Sequence, residues 1–182
     1  YAKVMYSYAL GEQGVTVMQV QPELNIGVTD RLSLKAKVPY VSTNGNLGDN
    51  SGIGDAIVST SFAFIKEQDR NLTGTIGLRL PTGTTDAMAN GIPLGTAVLN
   101  VFVPLPMPYQ TGLGTTDLLL AAQYRFKRWT TALAYQHVLN QANKNTFSHE
   151  AWSGNTDAPG YFESYHLERA NDLVGRLQYA YG

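Results

Sequence analysis

The chain has 182 residues, 43% hydrophobic and 15% charged, with a net charge of -1 and no cysteine. This size predicts one domain spanning 1–182; scattered Lys and Arg under near-zero net charge exclude a nucleic-acid partner, and missing thiols exclude disulfide frameworks and thiolate metal centres. Pro104, Pro106 and Pro108 interrupt the one long apolar stretch, Ala97 to Tyr109, so no run approaches the ~20 residues of a membrane-spanning helix.

The informative signal is alternation with period two, the mark of a strand with two different faces. Tyr1 stands inside such a strand with no leader before it, which predicts a processed product or a stretch of a longer chain. Val4, Tyr6, Tyr8 and Leu10 oppose Lys3, Met5 and Ser7. The pattern is strongest over Thr16 to Val28, where Met18, Val20, Leu24 and Ile26 oppose Gln19, Gln21, Glu23 and Asn25. It recurs at Leu32 to Tyr40, Ala56 to Phe64, Leu72 to Leu80, Leu118 to Phe126, Trp129 to Tyr135 and Leu173 to Tyr181. Strands of about eleven residues are long enough to cross a hydrocarbon layer when tilted.

Connections alternate in length. Asp30-Arg31, Lys66 to Asn71 and Lys127-Arg128 are short and charged, whereas Ser42 to Asp55, Gly83 to Thr116 and Gln141 to Asn171 are long and rich in Gly, Asn and Thr. Short turns on one side and long loops on the other are the pattern of a transmembrane barrel; the tight Gly11 to Gly14 hairpin departs from it. Phe62, Phe64, Tyr124, Phe126, Trp129, Tyr179 and Tyr181 fall beside the short turns, with Tyr8, Tyr40 and Tyr135 toward the other rim, predicting two interfacial aromatic girdles. The face opposite the apolar one carries Lys3, Gln21, Glu23, Lys35, Lys37, Arg79, Gln123, Arg125 and Arg176, the expected lumen lining. Its cations outnumber Glu23, so a water-filled lumen would favour anions; a polar plug without conduction is the rival reading.

Few residues suggest catalysis or metal binding. Ser148-His149 and His137 share no parity that would build a hydrolytic triad, so solvated loop side chains are the plainer reading. Asn44, Asn46, Asp49, Asn50 and Asp55 offer oxygen ligands for calcium but lack EF-hand spacing, and they are ordinary turn formers. His137, His149 and His166 fit no ligand rule. No cofactor and no enzymatic activity are expected. The proline-punctuated segment, with Val101, Phe102, Leu105, Met107 and Tyr109, is too apolar to stay in water. It predicts either a constriction folded over a barrel mouth or a docking surface for a partner or a neighbouring subunit.

Several motifs resemble the outer-membrane transporter family often labelled phenol meta-pathway degradation-like: MYSYAL (Met5 to Leu10), GVTDRLSLKAKVPYV (Gly27 to Val41), GIGDA (Gly52 to Ala56), LRLPTG (Leu78 to Gly83) and GLGTTDLLLAAQYRF (Gly112 to Phe126). The resemblance spans roughly Met5 to Leu139. It implies a barrel of about twelve strands, commonly described as a channel for hydrophobic or aromatic compounds, and supplies no catalytic residues. Ala180-Tyr181-Gly182 departs from the terminal aromatic usual for a complete barrel.

The sequence therefore predicts an all-β, antiparallel up-and-down transmembrane β-barrel of at least eight strands, ten to twelve if strands lie beyond the ends. The expected place is the outer membrane of a Gram-negative envelope. Its expected partners are membrane lipid, a small solute and, through the long loops, another protein or a second copy. A passive channel leads, a structural or partner-docking barrel is the rival, and a lipid-modifying enzyme is the remote third reading.

Overall fold

A computed structural model describes residues 1–94, 97–165 and 167–181. Among them the protein is built from β1 (Ala2–Leu10), β2 (Thr16–Gly27), β3 (Leu32–Lys37), β4 (Tyr40–Gly45), β5 (Gly48–Ile53), β6 (Ala56–Lys66), β7 (Arg70–Leu80), β8 (Met88–Leu94), β9 (Ala97–Pro104), β10 (Thr115–Phe126), β11 (Trp129–Gln141) and β12 (Asp172–Tyr179), with short 3-10 turns between some of them. All eight alternating segments are strands. Segment 42–55, expected as a loop, is instead largely the hairpin β4–β5, and the loop 83–116 contains the ribbon β8–β9. Ser42, Asn44, Asp49, Asn50 and Ser51 hid the first hairpin, because a strand polar on both faces has no alternation to detect.

Ten strands form one antiparallel sheet in the order β12-β11-β10-β7-β6-β3-β2-β4-β5, with β1 also on β2. Glu23 to Gly27 pair with β3, while Thr16 to Val20 pair with β4. β3 and β4 are thus one strand broken at Val38-Pro39, and β5 and β6 are one broken at Gly54-Asp55. Pro39 has no N–H to give the ladder, and its carbonyl accepts instead from Gly54 N across the break at 2.8 Å. Joined this way, the sheet is a plain meander. It curls into a half-barrel: Lys35 and Lys37 of β3 and Asp172 and Val174 of β12, five ladders away, line a single cavity of about 470 Å³.

Register fixes which residues share a face. One row runs Lys3↔Glu23↔Lys37↔Ile57↔Arg79↔Asp117 across β1, β2, β3, β6, β7 and β10. The next runs Asn25↔Lys35↔Ser59↔Gly77↔Leu119↔Gln136↔Asp172. On the opposite face lies Ile26↔Leu34↔Thr60↔Ile76↔Leu120↔Tyr135↔Leu173. Met18, Val20, Leu24, Ile26, Leu34, Leu120 and Leu133 are all exposed on that apolar face. The β6 bulge at Phe64 leaves it edge-on to Phe62, with ring centroids 5.2 Å apart, and Trp129 packs on Tyr179 at 4.9 Å. Aromatic clusters therefore do mark the short-turn end. Tyr135 is a correction: β11 continues past it to Gln141, which puts Tyr135 at the strand's middle rather than at a rim.

The dry core lies beside the sheet, not within it. Val15, Leu47, Val103, Leu105, Tyr109, Phe147, Trp152, Ala158 and Tyr161 pack together at the long-loop end. Segment 141–171 closes over the tight first hairpin, where Gln13 and Gly14 take positive φ of 55° and 74° and a Cβ on Gly160 would strike the Gln13 side chain.

Candidate functional site

The concave polar face is ordered by two acids, each shared between cations. Glu23 is buried on β2 and holds Lys35 at 3.3 Å and Lys37 at 3.4 Å. These two β3 positions flank Glu23 because antiparallel register puts Lys37 opposite it and Lys35 two residues along the same face. Asp117 is fully buried on β10, and its Oδ2 accepts from Arg79 at 3.2 Å, Arg169 at 3.4 Å and Gln136 at 2.5 Å. Arg169 also holds Asp172 at 2.9 Å. Burying a carboxylate is tolerable only with such partners.

Above this face, the chain between β9 and β10 turns inward. Leu105 and Tyr109 are fully buried in the loop core, with the Tyr109 hydroxyl 3.1 Å from that of Tyr161. Trp152 Nε1 donates to Pro104 O at 2.7 Å. Thr43 Oγ1 and Asn50 Nδ2 donate to Tyr109 O at 3.1 and 2.8 Å, and Thr111 Oγ1 donates to Ile53 O at 3.0 Å. Asp55 closes the latch: Oδ1 accepts from Gly83 N at 3.1 Å and Oδ2 from Leu113 N at 2.7 Å. Glycine is needed where these backbones meet, since a Cβ on Gly83 would lie 2.5 Å from Gly112 Cα. Beneath this segment is a cavity of about 280 Å³ bounded by Gln19, Gln21, Lys37, Ile57 and Arg79 from the sheet and Met107, Gln110 and Leu113 from the loop.

The expected residues are distributed as follows. Lys3, Gln21, Glu23, Lys35, Lys37, Arg79, Gln123, Arg125 and Arg176 share the polar face by register, with Arg125 opposite Asn71 and Thr130 near the short turns and Arg176 opposite Ala132. Lys35 and Lys37 do find an acid, so less of the basic character is free than the residue types suggest. Of the proline-punctuated segment, Leu105 and Tyr109 are buried, Met107 borders the cavity, and Phe102 is 67% exposed. The Val101 side chain lies outside the described ones, and so does residue His166. His137 meets Asn171 Oδ1 at 3.1 Å, whereas His149 meets Tyr161 O at 2.8 Å and Glu163 at 3.7 Å, so these two face different partners. Ser148 Oγ accepts from Ala151 N at 3.3 Å. Asp55, a candidate calcium ligand by residue type, has both oxygens on backbone amides, and Asn50 gives its Nδ2 to Tyr109 O.

Sequence reasoning missed Asp117, Arg169 and Asp55 as organisers. Asp117 was findable, because it shares parity with Leu119 and Gln123 and sits opposite Arg79. Arg169 lies in an irregular segment that carries no periodic signal. The chain matches no family model and no curated protein.

Proposed function

We propose that this chain forms the wall of an outer-membrane β-barrel acting as a passive, non-enzymatic channel for small solutes. One observation carries the reading: an ion-paired, polar face is concave, and the opposite face is a continuous exposed apolar surface. A soluble barrel has the reverse arrangement, and an apolar surface of this extent needs a nonaqueous covering. Alternating turn lengths support the same conclusion, as do the motifs that resemble the phenol meta-pathway degradation-like transporters. The inward segment above Lys37 and Arg79 is the constriction of this channel. Reconstitution of the full chain in planar bilayers tests the proposal: discrete conductance steps are expected, and silent bilayers containing folded, inserted protein would overturn it.

A docking role is the second reading. Phe102 and Phe162 stand 67% and 89% exposed at the long-loop end. Loss of a co-purifying envelope protein from the Phe102→Ser/Phe162→Ser variant, with conductance unchanged, would favour it.

A further inference from the structure

We infer that the cavity of about 280 Å³ beneath the inward segment is a binding site for a small monocarboxylate with an apolar or aromatic body. The inference rests on the channel reading for its setting but on the cavity itself for its chemistry. Lys37 and Arg79 flank Ile57 in one cross-strand row, two ladders and so ~10 Å apart. An anion placed over Ile57 lies between an ammonium and a guanidinium.

Lys37 is not neutralised one for one, and Arg79 shares its acid with Arg169, which also holds Asp172. Glu23 serves both Lys35 and Lys37, and Asp117 serves both Arg79 and Arg169. A guanidinium has five donors, of which Arg79 gives Asp117 only Nη1 among the described contacts. Among the described lining residues Asp55 is the one carboxylate, and both its oxygens are engaged by backbone N–H groups.

The remaining lining is mixed, with Gln19, Gln21, Gln110 and Thr111 interleaved with apolar residues. Of the apolar ones, Val41 and Pro39 come from the sheet side, and Met107 and Leu113 from the loop side. A carboxylate head near the cations and an apolar body against these four residues satisfies both halves. The volume lies just below the ~300 Å³ at which pockets for drug-sized ligands begin, so the guest is small. Planar fork geometry suits Arg79 to a carboxylate in particular.

Calorimetric titration of the full chain, refolded in detergent micelles, tests the site with benzoate and with benzyl alcohol as its neutral counterpart. Benzoate is expected to bind saturably and several-fold more tightly than benzyl alcohol. Lys37→Gln should weaken benzoate about tenfold, the scale of one charge-assisted contact, while leaving benzyl alcohol unchanged. Lys66→Gln is the control, because Lys66 lies at the short-turn end, where it donates to Asp30 O, and does not border the cavity; it should retain benzoate binding. Should Arg79→Gln unfold by exposing Asp117, the two lysine variants still decide. Equal binding of the two probes, or equal losses in Lys66→Gln and Lys37→Gln, would overturn the inference. Silent bilayers with benzoate binding intact would defeat the channel reading and leave the site standing. Conducting bilayers without benzoate preference would do the opposite.

Discussion

Glu23 and Asp117 show how single residues set the character of a whole face. Each is buried within the sheet, and each gathers two cations that would otherwise repel one another. Replacing Asp117 with Asn removes the charge shared by Arg79 and Arg169, and breaking a buried pair in this way costs ~3 to 5 kcal/mol. A fall in denaturation midpoint of that scale in vesicles checks it; an unchanged midpoint contradicts the pairing. Parity makes a second prediction. Leu24→Arg places a charge on the exposed apolar face and should cost ~2 to 4 kcal/mol if that face meets the bilayer midplane, whereas Gln21→Arg should cost little. Equal refolding penalties at the two positions would refute the assigned faces. The alternation that carries this prediction was legible in the sequence because apolar and polar residues segregate cleanly along β2. The cation-sharing at Asp117 was only half legible, since Arg169 reaches it from outside any strand.

At the scale of elements, the sequence disclosed strands with contrasting faces and concealed those without them. β4 and β5 are polar on both sides, and they exist because the upper half of β2 offers Thr16 to Val20 as an edge after Pro39 has broken the preceding strand. The inward segment was foreseen as an apolar stretch needing burial; its latch was not, because Asp55 reads as an ordinary turn former. Asp55→Ala should strand the half-buried amides of Gly83 and Leu113, each costing about 1 kcal/mol, the low end for an unsatisfied donor. The segment would then loosen, seen as faster amide exchange at residues 107–113; unaltered exchange would argue against the latch. The loop core adds a pH dependence. Burial, and then the hydrogen bond with Tyr109, push the Tyr161 phenol well above its ordinary range. Because the folded state favours the neutral phenol, its stabilisation is intact below pH ~10 and declines as pH rises through the ordinary tyrosine range. Protease susceptibility of segment 141–171 should therefore rise above pH ~10 in the native protein. Tyr161→Phe, which cannot ionise, should flatten this dependence while starting from a weaker core.

In the molecule as a whole, two sheet faces of opposite character run to one end covered by loops. The short charged turns lie together: Lys127 N donates to Asp69 O at 2.8 Å, and Lys66 Nζ donates to Asp30 O at 2.5 Å. In the proposed membrane orientation this end is periplasmic, so protease added to intact cells should cut within Gln141 to Asn171 and spare Lys127-Arg128. A nitroxide scan along Thr16–Gly27 in lipid vesicles, reading collision with oxygen against collision with a water-soluble relaxation agent, distinguishes a membrane wall from a water-exposed sheet. Oxygen contact should peak at Met18, Val20, Leu24 and Ile26, and contact with the polar agent at Gln19, Gln21 and Asn25, with period two. Uniform access of the water-soluble agent to both sets would contradict a membrane-embedded wall.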